Sequence, residues 1–299
     1  MSAIEIAVRV YRKLEPEDLQ ILEAIEQQMK SYEHAPKEAI HKQAELAPQE
    51  VDYRLPSLTK KGLLQGWRGQ YVGYSLTTPG YDTLAINALV EADVIEAFGK
   101  LLGVGKESDV YDALTPTEQQ VAIKFHRLGR ASFKQTKRKR GYMAKYTYTP
   151  DWNQQSRIAA KKEYKALKLL RPKDVAVPNP IKQNRHVLVM SMIEGAELYH
   201  HQKLQDPQAI LQEILLNVKR AYQDAHIIHG DLSSYNIILQ PNQHILIIDW
   251  PQNVTTKHPN AKELLKRDLK NVLTFFQRKH GQKNRLKDAL TYVTEDSRN

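Results

Sequence analysis

No cysteine occurs in the 299 residues, which excludes a disulfide framework and thiolate metal sites and fits a cytoplasmic location. No apolar run approaches the roughly 18–20 residues needed to span a bilayer, so no membrane partner is expected. The stretch from Met1 to Val10 contains Glu5 and Arg9 and lacks a secretory cleavage pattern. Internal repeats and low-complexity tracts are missing too, and His200, His201 and His229 make no convincing metal set. Acidic residues are the scarcer charge: 34 Asp and Glu against 44 Lys and Arg, a net +10. An excess of that size favours a polyanionic partner, usually nucleic acid, with a generally basic soluble enzyme as the alternative. A hydrophobic share of 41% suits a soluble protein with real cores. Its length fits a small domain joined to a larger one.

Residues 1–92 read as mostly helical. Pro16 opens a segment with Leu19, Leu22, Ile25 and Met29 at helical spacing, and Pro36 starts a short helix carrying Ile40, Ala44 and Leu46. A third segment follows Pro48, with Val51, Leu55, Leu58, Leu63 and Leu64. Pro56 is expected to break it, placing the helix after Leu55. Gly66 to Leu76 reads as a glycine-punctuated hairpin. Three helices and a hairpin predict a winged helix-turn-helix, whose Arg54, Lys60, Lys61 and Arg68 are placed to meet a phosphate backbone. A protein-docking module or a helical cap is the alternative. Thr77 to Gly80 looks like a helix start, making Tyr81 to Glu91 a linker helix into a second domain, 93–299.

From Ala97 short β-branched runs alternate with turn residues, predicting three strands around a glycine loop. The segment from Arg127 to Pro150 holds eight Lys and Arg and no acidic residue, and reads as a mobile loop. Helices are expected over Ser156 to Leu170, Ala209 to Ala225, Lys262 to Phe276 and Lys287 to Val293, with Val187 to Met190 a buried strand.

The chemistry concentrates in His229-Gly230-Asp231-Leu232-Ser233-Ser234-Tyr235-Asn236, followed by the apolar run Ile245 to Ile248 that ends in Asp249. Asp231, Asn236 and Asp249 can gather oxygen ligands around magnesium and aim a carboxylate at a nucleophile, as phosphoryl transfer requires. Upstream, Gly103-Val104-Gly105-Lys106-Glu107-Ser108 lies between predicted strands, where glycines let backbone N–H groups approach phosphates, or merely make a tight turn. Lys124 stands in the apolar strand Val121-Ala122-Ile123-Lys124, where an ammonium needs a partner. Phosphate oxygens with the Glu163 carboxylate could supply it; a snorkelling lysine and a solvent-facing glutamate are the bland alternative.

In this order the set resembles the protein-kinase signature from about Gly103 to Asp249. It departs from that signature in Ser108 for the last glycine, in His-Gly-Asp, in Asp249-Trp250-Pro251-Gln252, and in having no Ala-Pro-Glu after Asp249. Those departures are similar to the RIO family of atypical protein kinases, and the winged helix to its type-two branch. The missing C-terminal extension looks archaeal.

The resemblance implies an α+β fold, a winged helix followed by a truncated bilobal kinase-like domain, with lobes at about 93–190 and 195–299. It implies that ATP and Mg2+ or Mn2+ are bound. Gly103, Gly105, Lys106 and Ser108 would hold the triphosphate, and Lys124 paired with Glu163 its α- and β-oxygens. Asn236 and Asp249 would hold the metal, and Asp231 would orient the nucleophile or take its proton. Met190 would back the adenine, with Ser191 to Ile193 as hinge. Trp250, where phenylalanine is commoner, should alter packing but not ligation.

The resemblance further implies a Ser/Thr kinase or ATPase in small ribosomal subunit maturation, binding rRNA or a pre-ribosomal particle. The short tail leaves no obvious peptide platform, so ATP turnover is expected to act as a release switch. Ser132 and Asp249 are the candidate phosphoacceptors. An RNA-binding assembly scaffold, in which ATP is structural, is the alternative. The oligomeric state is not legible in the sequence.

Overall fold

The computed structural model describes residues 2–128 and 152–295. The chain divides into two compact units, Met1–Phe98 and Gly99–Asn299. Beyond the last helix of the first unit Ile95 is still buried and Val94 N–H bonds Leu89 O.

In the first unit, α1 (Ala3–Tyr11) is opened by a reciprocal cap: Glu5 N–H donates to Ser2 Oγ and Ser2 N–H to Glu5 Oε2. Then come α2 (Pro16–Gln28), β1 (Ala35–Pro36), α3 (Lys37–Gln43), α4 (Pro48–Lys60), β2 (Leu64–Arg68), β3 (Val72–Leu76) and α5 (Thr78–Val90). The strands form a sheet in the order β1-β3-β2, a helical core with its wing. Two expectations fail here. Pro56 lies inside α4, and the helix persists because Val51, Leu55 and Leu58 are buried. The carbonyl that Pro56 leaves without a donor belongs to exposed Asp52, where water can satisfy it. Nor is α5 a linker. Its apolar residues run all the way round, Gly80 to Asn87 are buried, and Tyr11 Oη donates to Asn87 Oδ1 at 3.1 Å, so α5 forms the unit's centre.

Arg54 and Lys61 do not stand ready for phosphate. Arg54 bonds Glu50 (2.6 Å), Glu15 (2.7 Å) and Asp18 (3.0 Å), with Glu17 at 3.5 Å, while Lys61 pairs with Asp18 at 3.2 Å. Asp18 is buried, and a buried carboxylate requires such partners.

β4 (Ala97–Val104) runs from the end of the first unit into the second, which continues with β5 (Ser108–Leu114) and β6 (Gln120–His126). After α6 (Trp152–Leu170) come β7 (Pro180–Asn184) and β8 (Val187–Ser191), completing a sheet ordered β4-β5-β6-β8-β7. β6 is buried along all but its first residue, and its register sets Lys124 opposite Val110 and Leu188. The rest of the unit holds β9 (Ala196–Glu197), α7 (Pro207–Gln223), β10 (Ile227–Ile228), β11 (Ile237–Leu239), β12 (Ile245–Ile247), β13 (Val254–Thr255), α8 (Ala261–His280) and α9 (Leu286–Thr294). A continuous core runs from Ala122 and Met190 through Trp250 to Phe276 and Val293.

Arg127 departs from the loop it was expected to open. It is buried, with its Nε 3.5 Å from Asp109 and its guanidinium 5.4 Å from the Phe125 ring centre. Ser132 and the rest of the basic segment from residue 129 lie outside the described residues. No helix among the described residues is long and apolar enough to cross a membrane.

Candidate active site

The site is built on β6, because an apolar strand carries Lys124 into the interior, where its ammonium must find carboxylates. Lys124 Nζ donates to Glu163 Oε1 and Oε2 (2.8 and 2.9 Å) and to Asp249 Oδ1 (2.8 Å). Lys124 and Glu163 are 5% and 1% exposed, which rules out the snorkelling alternative. Burial pushes the ammonium down, but the charges of Asp249 and Glu163 outweigh it and hold its pKa above the ordinary lysine value. Burial likewise pushes Glu163 up, and Lys124 and His126 together more than reverse it, so this carboxyl lies below its usual range. His126, two residues along β6, brings Nε2 to 3.0 Å from Glu163 Oε2, and Trp250 N–H donates to Oε1 at 3.3 Å.

Asp249 follows β12 in the left-handed region, φ 67°, a conformation that costs about 1 kcal/mol or more outside glycine and turns its carboxylate toward Lys124. Trp250 behind it is 1% exposed; its Nε1–H donates to Ile247 O, and its ring packs 4.5 Å from that of His229. His229 Nδ1 accepts from Asp231 N–H (3.2 Å), so its Nε2 carries the proton donated to Ile248 O (2.9 Å). Burial lowers the His229 pKa, which suits that neutral tautomer.

The catalytic-loop backbone is gripped from below by one helix, which the sequence reading missed. Asp268 on α8 accepts from Gly230 N–H (2.8 Å) and Leu232 N–H (3.1 Å). Arg267 donates to Gly230 O, and Asn271 donates to Leu232 O at 3.1 Å. Gly230 has φ +78°, and a Cβ there would come 2.8 Å from Gln252 O. Every backbone polar group flanking Asp231 on residues 230 and 232 is therefore fixed. Asp268 is buried, and burial outweighs the two N–H donors, pushing its carboxyl up to about 7. An amphipathic helix displays these residues at offsets of one and four, but nothing in the sequence says which loop they meet.

A cavity of about 280 Å³ is lined by nine of the expected residues: Gly103, Gly105, Ser108, Lys124, Glu163, Met190, Ile193, Asn236 and Asp249. A Cβ on Gly103 would meet nothing within 4 Å, and Gly105 N–H closes a tight turn onto Ser108 O (2.7 Å). Asn236 donates Nδ2–H to Asp231 O (2.8 Å), which leaves Oδ1 as its acceptor end. Three expected residues do not line the cavity. Lys106 and Asp231 are exposed, and Ser191 gives its N–H to Asn179 O while its hydroxyl accepts from Asn179 N–H. Ser191 thus holds the hinge in place. Glu197 and Tyr235 line the cavity unforeseen, and Tyr235 stacks on Tyr199 at 4.2 Å. A larger groove of about 960 Å³ between α7 and α9 contains none of the expected residues.

Two oxygen donors, from Asn236 and Asp249, fit the habit of Mg2+, which takes one or two protein ligands and completes its shell with phosphate and water. Lys124, a glycine turn and these donors around one cavity can bind a polyphosphate and stabilise charge on a transferring phosphoryl group.

Comparison with known proteins agrees. The RIO domain model matches residues 109–289 and the "Rio2, N-terminal" model residues 11–92. The RIO-type serine/threonine-protein kinase Rio2 of Methanocaldococcus jannaschii is 38% identical over 276 residues, covering 89% of this chain and all of that protein. The serine/threonine-protein kinase RIO2 of Caenorhabditis elegans is 37% identical over 91% of this chain, which spans only 51% of that longer relative. A crystal structure of a Rio2 kinase-ADP/Mg2+-phosphoaspartate complex from Chaetomium thermophilum superposes with a TM-score of 0.82 at 32% identity, covering 97% of this chain and 89% of the other.

Proposed function

The chain belongs to the RIO family of serine/threonine-protein kinases, in its Rio2 branch, and from that premise we propose that it binds ATP with Mg2+ in the Lys124 cavity and cleaves the γ-phosphoryl group. The observation that carries this reading is the buried Lys124 ammonium held between Glu163 and Asp249 at 2.8–2.9 Å, beside a glycine turn. Lys124 would bind the α- and β-oxygens, kept in place by Glu163, while Gly103 to Ser108 would cover the phosphates. Met190 and Ile193 would meet the adenine. Asn236 and Asp249 would hold Mg2+, which supplies charge neutralisation to the phosphates. Asp231, on its fixed loop, would orient the attacking group or take its proton.

Only residues 250–260 separate Asp249 from α8, too few for a long segment that docks a peptide. Asp249 is therefore a reasonable acceptor in its own right, and the phosphoaspartate of the Chaetomium relative supports it. In that step a carboxylate oxygen bonds to the γ-phosphorus and the bond to the β-phosphate oxygen breaks, releasing ADP. Water then hydrolyses the acyl phosphate to free phosphate and the restored carboxylate. Turnover would act as a release switch on a pre-ribosomal particle of the small subunit, with RNA as the contacted polyanion; the net +10 supports an RNA partner.

The test follows the γ-phosphate of labelled ATP with purified protein and Mg2+, against Asp249→Ala. Free phosphate or hydroxylamine-labile label is expected. Stable label passed to added protein would favour a Ser/Thr kinase proper. No turnover above the variant, even with small-subunit RNA added, would sink the enzyme reading in favour of a scaffold.

A further inference from the structure

The charge is divided unequally. Met1–Phe98 carries 10 Lys and Arg against 15 Asp and Glu, whereas Gly99–Asn299 carries 34 against 19. The winged-helix unit is thus net acidic, and Arg54, Lys61 and Lys37 within it are already held by carboxylates. The opposite holds at α8 and the turn after it. Residues 261–285 contain eight Lys and Arg against two acidic residues, one of which, Asp268, is buried beneath the catalytic loop.

Lys262, Lys266, Lys270, Arg278, Lys283 and Arg285 are all exposed, and none makes an ion pair among the described residues. On the helix, Lys262, Lys266 and Lys270 succeed one another at about 6 Å, and Arg278 continues the same exposed half to a span of about 24 Å. We propose that this face of α8 is the surface on which the protein holds a nucleic-acid strand by its phosphodiester backbone. The strand is taken as RNA, in which respect the proposal rests on the partner proposed above.

Two features favour RNA over other polyanions. A cation ladder of this length suits a continuous, evenly charged chain. No large apolar side chain is exposed between residues 261 and 287, so the face lacks the anchors that a protein interface or a membrane surface requires. The location matters because Arg267, Asp268 and Asn271 of the same helix hold the backbone around Asp231. A strand on α8 therefore lies on the element that positions the catalytic loop.

The test measures binding of a fluorescein-labelled 20-nucleotide RNA by anisotropy over a KCl series, using the full chain. The variants are K262Q/K266Q/K270Q and, as an equal charge change elsewhere, K161Q/K165Q/K168Q on exposed positions of α6. Thermal melts confirm that both are folded. The α8 triple should bind at least tenfold more weakly, and its slope of log affinity against log salt should be shallower by about 2, three phosphate contacts at ~0.7 each. The α6 triple should stay within twofold of wild type. Equal losses in both triples, or an α8 triple within twofold of wild type, would overturn the assignment while leaving RNA binding intact. Failure of the wild type to bind RNA would overturn the assignment and the RNA partner together. Competition by polyglutamate as strong as by unlabelled RNA at equal charge would point instead to an acidic protein.

Discussion

Asp268 joins α8 to the catalytic loop, and burial places its titration near 7. An unfolded aspartate titrates near about 3.9, so between pH ~4 and ~7 the folded state binds more protons than the unfolded one. The stability this group contributes is complete below the unfolded value and is lost as pH rises toward 7. Asp268→Asn should therefore remove a downward slope of melting temperature against pH in that window, read by calorimetry from pH 4 to 8. Lys124→Met makes a different demand. It leaves Glu163 a buried carboxylate facing only His126 and the Trp250 N–H, at a cost of about 3–5 kcal/mol. Urea unfolding checks the stability, and ATP turnover should fall at least ~100-fold as a charge stabiliser is lost. The roles of Lys124 and Glu163 were legible as a pattern, but the third arm of the pair, Asp249, is 125 residues away in sequence and is met only in the folded chain.

Among the elements, α4 shows how packing overrides a local rule. Pro56 is exposed and costs a helix interior about 3 kcal/mol relative to alanine, part of which is offset by the stiffer unfolded chain. Pro56→Ala should therefore stabilise the protein by about 2 kcal/mol in urea unfolding, and a loss of stability would show that the proline is needed where it is. Arg54→Ala, by contrast, removes the centre of four carboxylates and should cost roughly 2–3 kcal/mol. RNA affinity should stay within twofold, because that guanidinium is engaged inside its own unit. Sequence patterning placed α2 and α3 of this unit, but it did not read α1, whose buried Ile4, Ala7 and Val10 also recur at helical spacing. It mistook α5 for a linker because an all-round apolar helix and a connecting helix differ only in what surrounds them.

For the whole molecule, nucleotide binding is a stability measurement as well as an activity. Mg2+-ATP at a hundred times its Kd should raise the unfolding free energy by about 2.7 kcal/mol, and EDTA or Asp249→Ala should remove most of that gain in a thermal-shift assay. The sequence alone determined the order of parts: a winged helix, strands around a glycine loop with a lysine in one of them, a His-Gly-Asp loop and a metal-type aspartate. Those are local patterns, set by hydrophobic period, turn residues and motif spacing, and they survive in one dimension. Only the tertiary structure decided which charges are available. It closed Arg54 and Lys61 into carboxylates, buried Arg127 against Asp109, set Asp268 under the catalytic loop, and left Lys262, Lys266, Lys270 and Arg278 of α8 exposed with no ion pair among the described residues. The reason is physical: a charge's partner and its contact with water depend on distance in space, and residues 18 to 125 positions apart meet only when the chain has folded.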